Sequence, residues 1–334
     1  MKPLTVAVIY SNYFERSQRQ DYIAEEDVFD SRNFIEQALD KLNYSHLRIE
    51  LGQDSSHFIK ELKKKNFQVV FNLVEGALGQ SSLEMNIPAL LDLLQIPYTG
   101  SDCLAIGTSL NKVKTKEILS YHKIKVPSFN LYTTGKDITE REDYPLIVKP
   151  VAEDASIGIN KDSVVYNYES LKQQVEYIIE QYKQPALVEQ FIEGREFNVA
   201  IYQKGKEYKV LPVSELTYAQ NIVPPICGYE AKWLTDSKEY KGTVPLVPAK
   251  IEKKLAERIE QTAIAAYQAM NIGDYGRIDI RLDEQENIYI LEVNPNPCLS
   301  PGAGFERSLK AAGILFEDFV RDVIEHGLAR GKRC

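Results

Sequence analysis

Residues 277–294, RIDIRLDEQENIYILEVN, hold two runs of apolar alternation around a polar centre. Period-two alternation specifies a strand with one buried face, and two such runs this close specify an antiparallel hairpin. A turn at Gln285 and Glu286 places Ile278 opposite Val293, Ile280 opposite Leu291 and Leu282 opposite Tyr289, an all-apolar face. The other face then carries Arg277 opposite Asn294 and Asp279 opposite Glu292. A slip of one residue scatters these groups to both faces, so the pattern selects the register although the turn has no Asn-Gly or Asp-Gly. Opposed carboxylates repel unless a cation lies between them, and hard oxygens on a rigid sheet suit Mg²⁺. The simpler reading is a solvated sheet face on which Arg277 pairs with a carboxylate.

The rest of the chain places this hairpin late in a longer α/β order. LTVAVIYS, HLRIEL and QVVFNLVEG read as strands, alternating with the helices EEDVFDSRNFIEQALDKL and SLEMNIPALLDLLQ. Such alternation predicts a parallel sheet covered by helices, closing at IPYTGS. A lysine-rich helix, SLNKVKTKEILSYHKI, leads into the strand YPLIVKPV, the loop AEDASIGIN, the helix YESLKQQVEYIIEQY and the strand PALVEQFI. EFNVAIYQ and KEYKVLPVSEL follow as strands, then the helix PAKIEKKLAERIEQTAIAAYQAM, the hairpin, and the terminal amphipathic helix LFEDFVRDVIEHGLARG. At 334 residues there is room for two or three domains.

Composition excludes several classes. A net charge of −8 lacks the basic excess that a general nucleic-acid binder needs to displace counterions. No stretch approaches the roughly 20 apolar residues of a membrane span, and the start has no signal-peptide cleavage pattern. Cys103, Cys227, Cys298 and Cys334 are scattered without a CxxC, against structural zinc or a disulfide framework. The expected compartment is the cytoplasm.

There is no GxxxxGK[ST] and no GxGxxG, so a phosphate donor has to bind by other means. Lys149 ends an apolar strand, where a charge is costly unless an anion meets it. Lys232 follows GYEA and precedes Trp233, the single tryptophan, and Lys112 opens the lysine-rich helix. Glu189 and Glu196, in VEQFIEGRE, bracket Phe191 and Ile192, which could offer backbone to a flat base while a carboxylate meets a ribose.

In their order along the chain, FNLVEG, IPYTGS, LNKVKTKEIL, LIVKP, VEQFIEGREFNVAI, YEAKWL, GRIDIRL and ILEVNPNP resemble the ATP-grasp superfamily, and within it the D-alanine–D-alanine ligase family. The resemblance implies a three-domain ATP-grasp fold, α/β with an α+β C-terminal part. Its N-terminal parallel-sheet domain would span 1–109, a central subdomain 110–192 and a C-terminal subdomain 193–334. It implies a carboxylate–amine ligase that holds ATP between two antiparallel sheets and forms an amide through an acyl phosphate. By the same resemblance Lys112 and Lys149 hold the α- and β-phosphates, Glu189, Phe191 and Ile192 surround the adenine, and Glu196 binds the ribose. Lys232 reaches the γ-phosphate, Asp279, Glu292 and Asn294 hold two Mg²⁺ ions, and Arg277 stabilises the oxyanion. Small carboxylate and amine substrates are the expected partners, and a homodimer is compatible.

The substrate end departs from that family. Its loop glutamate has only Glu15 as a loose counterpart, its covering-loop serine is Ala155 beside Ser156, and its tyrosine is Trp233. In the family those three residues form a hydrogen-bonded link that Ala155 and Trp233 are not expected to reproduce. NPNPCLSPGAGFERS puts Cys298 at a glycine position and has no serine aligned with the family's carboxylate-binding one, which leaves Arg307 or Ser308 for that role and Cys298 and Ser300 as further substrate-end candidates. The expectation is a ligase of this family acting on something other than two D-alanines. The alternatives are an authentic D-alanine–D-alanine ligase and a non-catalytic ATP-binding protein.

Overall fold

The computed structural model describes residues 4–12 and 27–331, and Glu15 and Cys334 lie outside them. Three strands, β1 (Thr5–Ser11), β2 (Ser45–Leu51) and β3 (Val69–Asn72), form a parallel sheet in the order β2-β1-β3. Strand β1 is apolar from Val6 to Tyr10 because both faces are covered. Val6, Val8 and Tyr10 pack on the helix Val28–Lys41, while Ala7 and Ile9 face Phe58, Leu62, Ile87 and Leu91. The terminal helix Phe316–Gly331 closes the first of these cores with Phe319, Val320 and Val323, so the chain's end returns to its first sheet.

Two antiparallel sheets follow. The first has the order β4-β7-β5-β6, with β4 Phe129–Tyr132, β5 Leu146–Pro150, β6 Val164–Val165 and β7 Ala186–Gln190. Leu146 and Val148 of β5, with Ala186 and Val188 of β7, pack against the helix Tyr168–Tyr182. Alternation therefore turns Ile147, Lys149 and Glu189 to the opposite face.

The second sheet runs β11-β10-β8-β12-β13, with β9 beside β8. Its strands are β8 Arg195–Lys204, β9 Glu207–Val210, β10 Ser214–Tyr218, β11 Thr243–Leu246, β12 Tyr275–Leu282 and β13 Ile288–Asn294. Phe197, Val199, Ile278, Ile280 and Val293 bury one face against the helix Lys253–Ala269. Glu196, Asn198, Arg277, Asp279, Glu292 and Asn294 are left on the other. Among the described residues no helix is long and apolar enough to cross a membrane.

The hairpin pairs Arg277 with Asn294, Ile278 with Val293 and Asp279 with Glu292, as the alternation predicts. Nearer the turn the expected pairs fail: Ile280 meets Ile290 and Leu282 meets Ile288, leaving Leu291 as a bulge. The turn is not the two-residue kind. Asp283 accepts from the Gln285 and Asn287 N–H groups, and Glu286 takes a left-handed φ of 57°. The longer turn shifts the register by one, and the bulge shifts it back before the polar pairs begin.

Other boundaries also differ. The lysine-rich helix is Lys112–Tyr121, preceded by a separate helix Cys103–Leu110 that its sequence did not announce. The break falls at Asn111, extended at φ −84° and ψ 97°, whose side chain caps the second helix at Lys114 N. KEYKVLPVSEL is two strands, β9 and β10. The short strands β4, β6 and β11 and the short helix Gly304–Ala311 carry too little periodicity to be read in advance.

Candidate active site

The polar faces of both antiparallel sheets open into one cavity of about 920 Å³, together with loops of the first sheet. Lys112, Lys149, Glu189, Phe191, Ile192, Glu196, Lys232, Arg277, Asp279, Glu292 and Asn294 all line it. Ser156, Trp233, Cys298, Ser300 and Arg307 line it too. Ser308 does not, because it is buried and its hydroxyl donates to the Gly304 carbonyl.

One end is dense with paired charge. Lys149 Nζ lies 2.5 Å from Glu189 Oε2, and Lys116 Nζ lies 2.5 Å from Glu189 Oε1. Glu196 Oε2 accepts from the Tyr218 hydroxyl at 2.8 Å and from Arg281 NH2 at 2.8 Å. Arg281 also donates to the Ile192 and Pro225 carbonyls and lies 4.6 Å over the Phe191 ring. Lys116 and Arg281 were not singled out from sequence. Arg281 had a signal, since it continues the Arg277–Asp279 alternation. Lys116 lies four residues after Lys112 in a lysine-rich helix, where the neighbouring Lys114 is exposed and nothing in the pattern marks Lys116 as buried.

Between the sheets, Lys112 Nζ reaches Glu292 Oε1 at 2.7 Å, the Glu153 carbonyl at 2.5 Å and Asp154 at 3.5 Å. Burial works against the Lys112 charge, but the Glu292 and Asp154 carboxylates outweigh it and hold the amine above the usual lysine range. Burial likewise raises Glu292, and Lys112 overrules it, keeping that carboxyl well below its ordinary value. Asp154 is pushed up to about 7 by burial, against Lys112 and with Glu292 adding to the rise. On the neighbouring strand Arg277 grips both oxygens of Asp279 at 2.7 and 2.9 Å, and Asn198 donates to Oδ1 at 2.7 Å.

Asp279, Glu292 and Asn294 present hard oxygens on adjacent strands, and their paired cations are lysine and arginine. Among the described residues no three His, Cys, Asp or Glu side chains form a metal cage by themselves. Two carboxylates and an amide fit Mg²⁺ only as part of a shell completed by phosphate oxygens and water, the way that ion is commonly held.

The loop after β5 covers this end. Ala155 and Ser156 both take left-handed backbone, φ 54° and 62°. Three bonds fasten it to the segment 227–233: Ser156 Oγ to the Cys227 carbonyl at 2.8 Å, Tyr229 N to the Ile159 carbonyl at 2.9 Å, and Trp233 Nε1 to the Ala155 carbonyl at 3.0 Å. A Cβ on Gly228 would lie 2.8 Å from the Ile159 carbonyl, so the close approach needs glycine there. Ala155 and Trp233 are joined by another contact than the side-chain link of the family, whose third counterpart, Glu15, lies outside the described residues. The indole reaches the backbone of Ala155, where side chains alone were considered.

The opposite end is acidic. Cys298 Sγ donates to Asp27 Oδ2 at 2.6 Å and lies 2.9 Å from Ser300 Oγ. Burial, then Asp27, pushes that thiol up to about 12, which leaves it inert as a nucleophile. Glu84 accepts from Asn296 Nδ2 at 3.2 Å and is raised well above its usual range, first by burial. Glu75 opens onto the cavity and is pushed up to about 8 by burial, then by Asp27 and Asp154. The Arg307 guanidinium is lowered by burial and by Arg277, and it donates to the Gly302 carbonyl. Asp27 and Glu84 have no motif that places them here, and Glu75 lies in the FNLVEG block without having been assigned a role.

The family model for the D-ala D-ala ligase C-terminus matches residues 117–325. An uncharacterised protein of Sinorhizobium fredii is 33% identical over 257 residues, 77% of this chain and 74% of its own. A D-alanine–D-alanine ligase of Pelotomaculum thermopropionicum is 29% identical over 300 residues, 86% of this chain and 88% of its own. The crystal structure of the D-alanine–D-alanine ligase of Bacillus anthracis complexed with ATP has the same fold, with a TM-score of 0.79, 23% identity and 99% of each chain covered.

Proposed function

The chain belongs to the D-ala D-ala ligase family, and from that premise we propose an ATP-dependent, ADP-forming carboxylate–amine ligase acting on amino-acid-like substrates other than two D-alanines. The observation that carries this is the meeting of Lys112, Lys149, Lys232, Arg277, Asp279, Glu292 and Asn294 in one cavity, drawn from two sheets and two helices. On this reading the chain divides at 1–109, 110–192 and 193–334.

A substrate carboxylate is a poor electrophile. Its oxygen attacks the γ-phosphorus of ATP, ADP leaves, and an acyl phosphate results. The amine then attacks the acyl carbon and phosphate departs with the surplus proton. Lys112, Lys149 and Lys232 orient the phosphates, Glu196 with its free oxygen takes the ribose, and Phe191 and Ile192 flank the base. Asp279, Glu292 and Asn294 would hold Mg²⁺, which offsets repulsion between the anionic carboxylate and the triphosphate. Arg277 faces the place where the tetrahedral oxyanion forms. The covering loop excludes water that would hydrolyse the acyl phosphate.

The substrate reading rests on the rebuilt acceptor end. Ser156 is committed to the Cys227 carbonyl, while Cys298 and Ser300 are committed to Asp27. The open carboxylate is Glu75, with buried Glu84 held by Asn296 beside it, which suits a substrate bearing an amine, and Arg307 is the cation placed for a carboxylate. ADP release screened over D- and L-amino acids tests both levels. D-Alanine alone should give little turnover and another pair much more, by up to ~10⁴-fold where buried polar groups lack partners. Abundant D-alanyl-D-alanine in the mass spectrum at millimolar D-alanine would restore the authentic ligase.

A further inference from the structure

Arg281 continues the alternation of Arg277 and Asp279 along β12, so it faces the cavity, yet it is only 2% exposed. Its partner directly opposite on β8 is Glu196. Nε and NH2 donate to Glu196 Oε2 at 3.1 and 2.8 Å, and NH1 donates to the Ile192 carbonyl at 2.9 Å. NH2 also reaches the Pro225 carbonyl, and the guanidinium lies over the Phe191 ring. The Tyr218 hydroxyl donates to the same Oε2 at 2.8 Å, and among the described residues no donor takes Oε1.

A buried charge is costly unless it is paired and hydrogen-bonded, and this one is both. A planar fork of N–H groups can serve a carboxylate and two carbonyls at once, whereas an ammonium on a flexible stem is a single point. The three acceptors come from three places. Glu196 is on β8, Ile192 follows β7, and Pro225 follows β10 in the segment that runs on to Trp233. With Oε2 held by Arg281 and Tyr218, Oε1 is the oxygen that a ligand hydroxyl can use. Given the reading of this cavity as an ATP site, we propose that Arg281 is a positioning residue for nucleotide selection. It holds Glu196 so that Oε1 accepts from the ribose, and it holds the Ile192 and Pro225 backbone beside the base.

The test compares ADP with 2′,3′-dideoxy-ADP, which differ only in the ribose hydroxyls. Both are titrated by calorimetry, with Mg²⁺, into the wild type, Arg281→Met, Arg281→Lys and Glu196→Gln, with thermal melts as the fold check. The wild type should prefer ADP by about tenfold or more, as expected for hydrogen bonds to a charged acceptor. Arg281→Met and Arg281→Lys should lose most of that preference, as Glu196→Gln does. A structural role alone would weaken the two nucleotides by one factor and leave their ratio unchanged. A folded Arg281 variant with the wild-type ratio, whether both affinities fall or neither does, therefore overturns the proposal. If Arg281→Met fails to fold, Arg281→Lys decides it, because the charge stays and the fork is lost. A wild type that binds both nucleotides equally takes the ribose away from Glu196 and also overturns the proposal, while leaving the ATP site in place. A wild type that binds neither overturns the ATP reading itself, an outcome distinct from the others.

Discussion

The two ends of the cavity are built on different principles. At the proposed nucleotide end most of the ionisable groups come from strands and helices, and five opposite-charge pairs form among them. Lys112 meets Glu292, Lys149 and Lys116 share Glu189, Arg281 meets Glu196, and Arg277 meets Asp279. At the acceptor end Asp27, Glu75, Glu84, Cys298 and Ser300 come from turns and element ends, and like charges face one another. A set of buried pairs holds its geometry before any ligand arrives. A set of unmatched carboxylates stores a need that a cationic ligand can satisfy. On the proposed function, one end would suit a fixed reactant and the other a selected one.

The largest effects come from breaking a pair at the proposed nucleotide end. Glu292→Gln or Asp279→Asn should lower kcat by 10³-fold or more, equivalent to several kcal/mol of transition-state stabilisation. The fold should survive, since Asp154 remains beside Lys112 and Asn198 beside residue 279. Unchanged melting with lost turnover is the expected pair of measurements. Full activity at saturating Mg²⁺ would remove both residues from the machinery.

A middle-sized effect is expected where the covering loop joins the two ends. Trp233→Phe keeps the ring against Ile157 and Tyr229 but loses the bond to the Ala155 carbonyl. One neutral hydrogen bond contributes about 1 kcal/mol, so KM for ATP should rise about fivefold while kcat changes less. As the single tryptophan, Trp233 should also change its emission in the wild type when ADP closes the loop. A silent fluorescence titration with unchanged KM would mean that the indole only packs.

The same contrast explains what was legible in the sequence. Strand alternation placed Arg277, Asp279, Glu292 and Asn294 on one face, and it sent Lys149 and Glu189 to the cavity, because side-chain period is a local property. Even there the register came out right through two compensating errors, a longer turn and a bulge at Leu291. Asp27 and Glu84 were not legible, and Glu75, though inside FNLVEG, carried no assigned role. Each sits outside a regular strand, and contacts between the N-terminal part and the loop after β13 bring Asp27 to Cys298 and Glu84 to Asn296. Lys116 was hidden differently, since a lysine in a charged helix normally points to water. Its burial is set by the bulge and by β7, both distant in sequence.

The smallest expected effect separates the two ends by the sign of their response to pH. Glu292 is held below its unfolded value, so its contribution to stability is present above the unfolded pKa and is lost as pH falls through the folded one. Glu75 is the reverse. Its folded pKa of about 8 exceeds the unfolded value of 4.5, so the native state keeps a proton that the unfolded chain releases. Stability is then lost as pH rises from 4.5 towards 8, and Glu75→Gln should remove that loss. Because the side chain opens onto the cavity, water screens the repulsion and the cost is held to about 1 kcal/mol or less. For a chain of this size that is roughly 2 °C in Tm. Wild type and Glu75→Gln should melt together near pH 5, and the variant should melt higher near pH 8. Parallel curves at both pH values would show that Glu75 is not in conflict with Asp27 and Asp154. The acceptor end would then be as well matched in charge as the nucleotide end.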